Sequence, residues 1–81
     1  MKILFEEMMG ETSYSLFSEE IKKDGTERTA FGIEVHKPGE SAKVHDITTI
    51  RSKAENVYDA MVRNAVTPIH LKHTIENLIL Q

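Results

Sequence analysis

Four histidines, His36, His45, His70 and His73, carry most of the metal-binding and acid–base capacity of an 81-residue chain that has no cysteine. His70 and His73 are three apart in a stretch with helical periodicity, so both imidazoles can share a face, and Glu76 follows three residues on. Transition metals accept imidazole together with carboxylate, so His70, His73 and Glu76 could supply three ligands. Four histidines in a short chain also produce such a spacing by chance. On a helical wheel His70 flanks the apolar stripe while His73 and Glu76 face solvent. The plainer expectation is therefore a first-turn His70 packed on the sheet edge and a solvated His73. No metal and no cofactor is expected, and the three residues stand as a candidate binding surface for a metal or small-ligand regulator, the alternative function.

Acid–base catalysis would need a base oriented by a partner within a pocket. His36, His45 and Asp46 border turns or strand ends, with no nucleophile elbow or loop beside them, and Asp46 is expected to order the entry into the first helix. No catalytic residue is assigned and no enzymatic activity is expected. Gly10, Gly25, Gly32 and Gly39 are isolated, so no phosphate-binding loop is present. Gly32 alone falls inside a strand pattern, where a bulge or an aromatic lying over bare backbone would explain it.

These residues are positioned by a chain whose apolar period changes once, near residue 48. Before it, Tyr14, Leu16 and Phe17 lie in a Ser- and Thr-rich strand, and Lys22–Gly25 offers a hairpin turn. Phe31, Ile33 and Val35 alternate with Ala30, Gly32, Glu34 and His36. Lys37-Pro38-Gly39-Glu40 makes a second turn, and Ala42, Val44 and Ile47 a shorter strand. Residues 2–9 suit either a further strand or a helix. Beyond residue 50, Ala54, Val57, Tyr58, Met61, Val62 and Ala65 share one helical face, with Ser52 and Glu55 spaced as a capping box. Thr67-Pro68 marks a second helix start, with Leu71, Ile75, Leu78 and Ile79 as its core stripe. The expected fold is α+β: residues 1–81 as one domain, an antiparallel three- to four-stranded meander covered on one face by a C-terminal helical hairpin.

Composition narrows the function. The net charge is −3, and residues 1–20 carry Lys2 against Glu6, Glu7, Glu11, Glu19 and Glu20. Nucleic-acid binding needs a clustered basic face, and the second helix offers base edges only Lys72, His73, Asn77 and Gln81, so no nucleic-acid partner is expected. The apolar run Ile3-Leu4-Phe5 ends at two glutamates, too short for a signal peptide or a membrane span. Together with the absence of cysteine this leads to an expectation of a cytoplasmic protein without a membrane partner.

Three stretches in order, Phe31-Gly32-Ile33-Glu34-Val35, Ser41-Ala42-Lys43-Val44-His45-Asp46-Ile47 and Thr67-Pro68-Ile69-His70-Leu71 with Ile75-Glu76 behind it, resemble a family of small bacterial proteins from clostridia-like Gram-positive organisms, known only as a domain of unknown function. The resemblance spans about residues 12–80 and implies a cytoplasmic protein with no assigned activity. The chain departs from that family's pattern in having Phe31 for a frequent Tyr, and His73 and Asn77 for acidic residues.

What remains is surplus apolar surface at both ends of the chain. Leu4, Phe5, Met8 and Met9 cluster beside glutamates, and Leu80 exceeds what one helix face needs. Sheet edges suit strand addition or self-association. The expected function is a non-enzymatic protein-interaction module with an unidentified protein partner, itself a homodimer.

Overall fold

Asp24 and Gly25 both take positive φ, 52° and 76°, joining Lys23 to its cross-strand partner Thr26. That is the two-residue turn whose twist matches the flanking strands, and Asp-Gly is among the sequences that adopt it most readily. The computed structural model, which describes residues 1–79, builds around this hairpin a four-stranded antiparallel meander. Its strands are β1 (Lys2–Met9), β2 (Thr12–Lys23), β3 (Thr26–Lys37) and β4 (Glu40–Thr48), in the spatial order β1-β2-β3-β4. Two helices follow, α1 (Arg51–Arg63) and α2 (Leu71–Ile79), the second entered through a single 3₁₀ turn, Pro68–His70. The fold is the expected α+β meander with a helical pair, and residues 2–9 are its outer strand. No described helix is long and apolar enough to cross a membrane.

One face of the sheet carries the core. Tyr14 and Leu16 of β2 and Phe31, Ile33 and Val35 of β3 pack against Ala54, Tyr58, Met61 and Val62 of α1 and Leu71 and Ile75 of α2. This alternation is the one the sequence shows, because only one side of each strand meets the helices. Phe17 is equally buried but points to the helix-free face. There it lies beneath the Lys43 ammonium, 4.9 Å from the ring centre, and the His45 ring, 5.5 Å away edge-on.

Gly32 makes that burial possible. A Cβ on Gly32 would lie 2.4 Å from Phe17 Cζ and 2.5 Å from the Val44 carbonyl oxygen. Both expected explanations of this glycine hold together. The β3–β4 register moves from Ile33↔Val44 to Phe31↔Thr48, so residues 45–47 bulge opposite Gly32 alone. Asp46 takes φ 51° within that bulge and reaches Arg28, 3.4 Å away, rather than ordering the entry into α1.

The helix ends differ from expectation. Ser52 lies inside α1 and forms no capping box; Ile50 is the cap residue, without a side-chain bond. Glu55 instead pairs with Arg51 at 2.9 Å, one turn back, and Thr48 Oγ1 accepts the Ile50 amide. Thr67 does stand at the second start, but its side chain caps nothing. Ala65 is past the end of α1, not on its buried face. It takes φ 49°, and the amides of Ala65 and Val66 donate to the carbonyls of Val62 and Met61. This is a Schellman closure, with buried Val66 as its apolar contact and alanine where glycine is usual. Ile79, assigned to the core stripe, is exposed, and Leu78 is half-buried against the core.

Two substitutions should move stability in opposite directions. Ala65→Gly removes a left-handed strain of roughly 1–2 kcal/mol, partly offset by glycine's freedom in the unfolded chain. A net gain of about 1 kcal/mol should appear as a rise in Tm of roughly 4–8 °C. Gly32→Ala drives a methyl into the Val44 backbone, which no rotamer relieves, and should cost about 1–3 kcal/mol in denaturant titration.

Candidate functional site

His70, His73 and Glu76 all face solvent. His70 sits in the 3₁₀ turn, where its carbonyl accepts the Thr74 hydroxyl at 2.8 Å, and His73 and Glu76 follow on α2. The expectation that His70 packs on the sheet edge is not met: Pro68 and Leu71, on either side of it, take the buried positions. The 3₁₀ entry causes this, since it rotates His70 away from the position a continuous α-helix would give. Among the described residues no three His, Asp or Glu side chains converge closely enough to hold a metal ion.

The other polar candidates are dispersed. His36 is exposed near the end of β3. His45 Nδ1 lies 2.9 Å from Glu19 Oε1 on the helix-free face, and Asp46 is engaged with Arg28. These are exposed polar contacts of small energetic weight. A shallow groove of about 320 Å³ opens where the end of β4 meets α1 and α2, lined by Ile47, Thr48, Lys53, Asn56, Val57, Leu78 and Ile79. A shallow groove is the form expected of a small-molecule site in a chain this short.

An open apolar surface lies at the opposite edge. α1 packs across β2, β3 and β4, and α2 against β4, so the helical layer is centred away from β1 and meets it through Tyr58. β1 pairs with β2 on one side, and its other side meets no strand among the described residues. Its apolar side chains are correspondingly open: Ile3 is 44 % exposed, Phe5 40 %, Met8 67 % and Met9 51 %. Leu4 is the exception, turned onto the core at a bulge between Ile3 and Phe5. From Phe5 to Met9 the strand is regular. Opposite the core-facing Leu16, Tyr14 and, in continuing alternation, Thr12 stand Phe5, Glu7 and Met9; opposite Ser15 and Ser13 stand Glu6 and Met8.

Glu7 also touches the frame. The Phe5 ring lies 5.9 Å from that of Tyr58. The Tyr58 hydroxyl is held well above its ordinary value of 10.0, first by burial and then by the negative charge of Glu7. Neither Glu6 nor Glu7 forms an ion pair among the described residues. The apolar cluster of residues 4–9 was legible in the sequence. Its position at a free edge was not, because strand or helix was open there. Leu80, the other apolar candidate, lies outside the described residues.

A family model described as "Family of unknown function (DUF6514)" matches residues 4–81 of the chain. No curated protein and no solved structure matches it.

Because His70 of the 3₁₀ turn and His73 of α2 do not converge with a third ligand among the described residues, titration with Zn²⁺ in a calorimeter should show no saturable stoichiometric binding. The His70→Ala, His73→Ala double variant should give the same trace. A tight site lost in that variant would restore the metal reading.

Proposed function

The chain belongs to the DUF6514 family, and since that family's function is unknown we propose one from this member's surface: a non-enzymatic protein-interaction module that binds through β1. One observation supports it above the others. β1 is a sheet edge with four exposed large apolar side chains, Ile3, Phe5, Met8 and Met9, of which Phe5 meets the helical layer at Tyr58 and still stays 40 % exposed.

A free strand edge offers main-chain N–H and C=O groups to an incoming strand, and alternate side chains supply selectivity. Single exposed apolar residues are ordinary on protein surfaces. Four on one edge strand, Ile3 and Met8 on the helix-free face and Phe5 and Met9 on the core-facing one, give an incoming strand apolar contacts on both faces. The dispersal of His36, His45, His70 and His73 favours binding over catalysis as the role. The proposal takes the cytoplasm as its setting, in keeping with a chain that has no cysteine.

Affinity capture with the tagged protein from its native cells tests the proposal when run beside Met8→Lys and Ile3→Lys variants. Both positions are exposed, so the fold should persist, as circular dichroism would check. A stoichiometric partner captured by the wild type and lost from the variants is the expected outcome. The same partner at equal yield from all three would remove β1 from the account.

A further inference from the structure

We propose that the partner of β1 is an extended segment of another protein carrying two consecutive basic residues flanked by apolar ones, and not a second copy of this chain. The inference rests on the binding role of β1 and specifies what β1 binds.

The regular stretch Phe5–Met9 reads apolar, acidic, acidic, apolar, apolar. Glu6 and Glu7 point to opposite faces, since their partners on β2 are Ser15 and Tyr14. Neither has a counter-charge on the neighbouring strand, where residues 12–17 contain no Lys or Arg. Each face of the edge therefore shows one carboxylate beside an apolar side chain: Glu6 next to Met8, and Glu7 between Phe5 and Met9.

Consider a second copy added antiparallel about a two-fold axis normal to the sheet. Such an axis keeps each side chain on its own face, so the central residue meets itself. Centred on Glu7, Phe5 meets Met9 but Glu7 meets Glu7. Centred on Glu6, carboxylate again meets carboxylate and Phe5 meets Glu7. The first of these uses the whole regular stretch, and both set like charges directly opposite, which destabilises strand pairing. Centring on Met8 avoids that but sets Glu7 against Met9 and runs into the turn at Gly10. Registers nearer the N-terminus run into the bulge at Leu4. The net charge of −3 on each copy adds to the repulsion.

A foreign strand escapes this constraint. Residues facing Glu6 and Glu7 are consecutive in any strand laid along β1, so both charges are met by an adjacent Lys/Arg pair. Phe5 on one side and Met8 and Met9 on the other call for apolar residues flanking that pair. A basic strand also approaches faster and more selectively than a neutral one.

The test uses a fluorescein-labelled, end-blocked peptide with Val-Lys-Arg-Ile-Val at its centre, its twin with Val-Glu-Glu-Ile-Val, and anisotropy titration at low and physiological salt. The wild type should prefer the basic peptide by roughly tenfold, an advantage that shrinks with salt. The Glu6→Lys, Glu7→Lys double variant should reverse the preference, which a merely unfolded variant could not do. Equal binding of both peptides, abolished by Met8→Lys, would overturn the charge inference and leave the edge reading standing. A dimer in sedimentation that dissociates on Met8→Lys, with neither peptide bound, would make a second copy the occupant and overturn it likewise. Binding insensitive to Met8→Lys would sink both readings.

Discussion

Two buried tyrosines fasten the helical layer to the sheet and decide where it sits. Tyr58 of α1 donates its hydroxyl to the Tyr14 carbonyl on β2 at 3.2 Å, and Tyr14 donates its own to the Val66 carbonyl beyond α1 at 3.0 Å. Each ring buries a large apolar area while its polar tip finds a fixed acceptor, so the pair supplies direction as well as burial. Deleting either hydroxyl leaves a buried carbonyl short of a partner, at a cost of about 1–3 kcal/mol. With α1 pinned above β2, the remaining helical turns extend toward β4. The layer is too narrow to cover both edges of four strands.

The exposed edge is thus a consequence of size. An 81-residue chain buries a limited share of its surface, and here that share goes to β2, β3 and the helices. Unpaired edges invite uncontrolled pairing, and proteins blunt them with charges and bulges. β1 has both: Glu6 and Glu7 at its middle and an irregularity at Leu4. The two carboxylates disfavour pairing between identical strands and leave the edge open to a basic one. One pair of residues therefore serves protection and selection, an economy open to a domain with little surface to divide.

Much of this was legible from residues alone. Asp24-Gly25, the alternation of Phe31, Ile33 and Val35, and the Thr67-Pro68 start each encode their element locally, so turns, central strands and helices could be read directly. Features that depend on tertiary contacts were not. Residues 2–9 carry no alternation that separates strand from helix; pairing with β2 decides it. Ser52 and Glu55 had the right spacing for a cap, yet the chain turns into α1 two residues sooner and Arg51 takes Glu55. Ala65 fits a helical face by period, but the closure at Val66 requires it in the left-handed region. His70 is turned outward by a 3₁₀ entry that no side-chain pattern announces. For the site, the apolar residues and glutamates were visible, whereas the free edge that gives them meaning is a property of strand order.

Hydrogen–deuterium exchange of the wild type, alone and with the Val-Lys-Arg-Ile-Val peptide, tests the central claim most directly. In dilute free protein, amides of residues 5–9 that point away from β2 should exchange fast while those of β2 and β3 stay protected. On adding the peptide, protection should appear in that stretch. Protection of residues 5–9 already present in the free protein, or gained on the helices instead, would contradict the account.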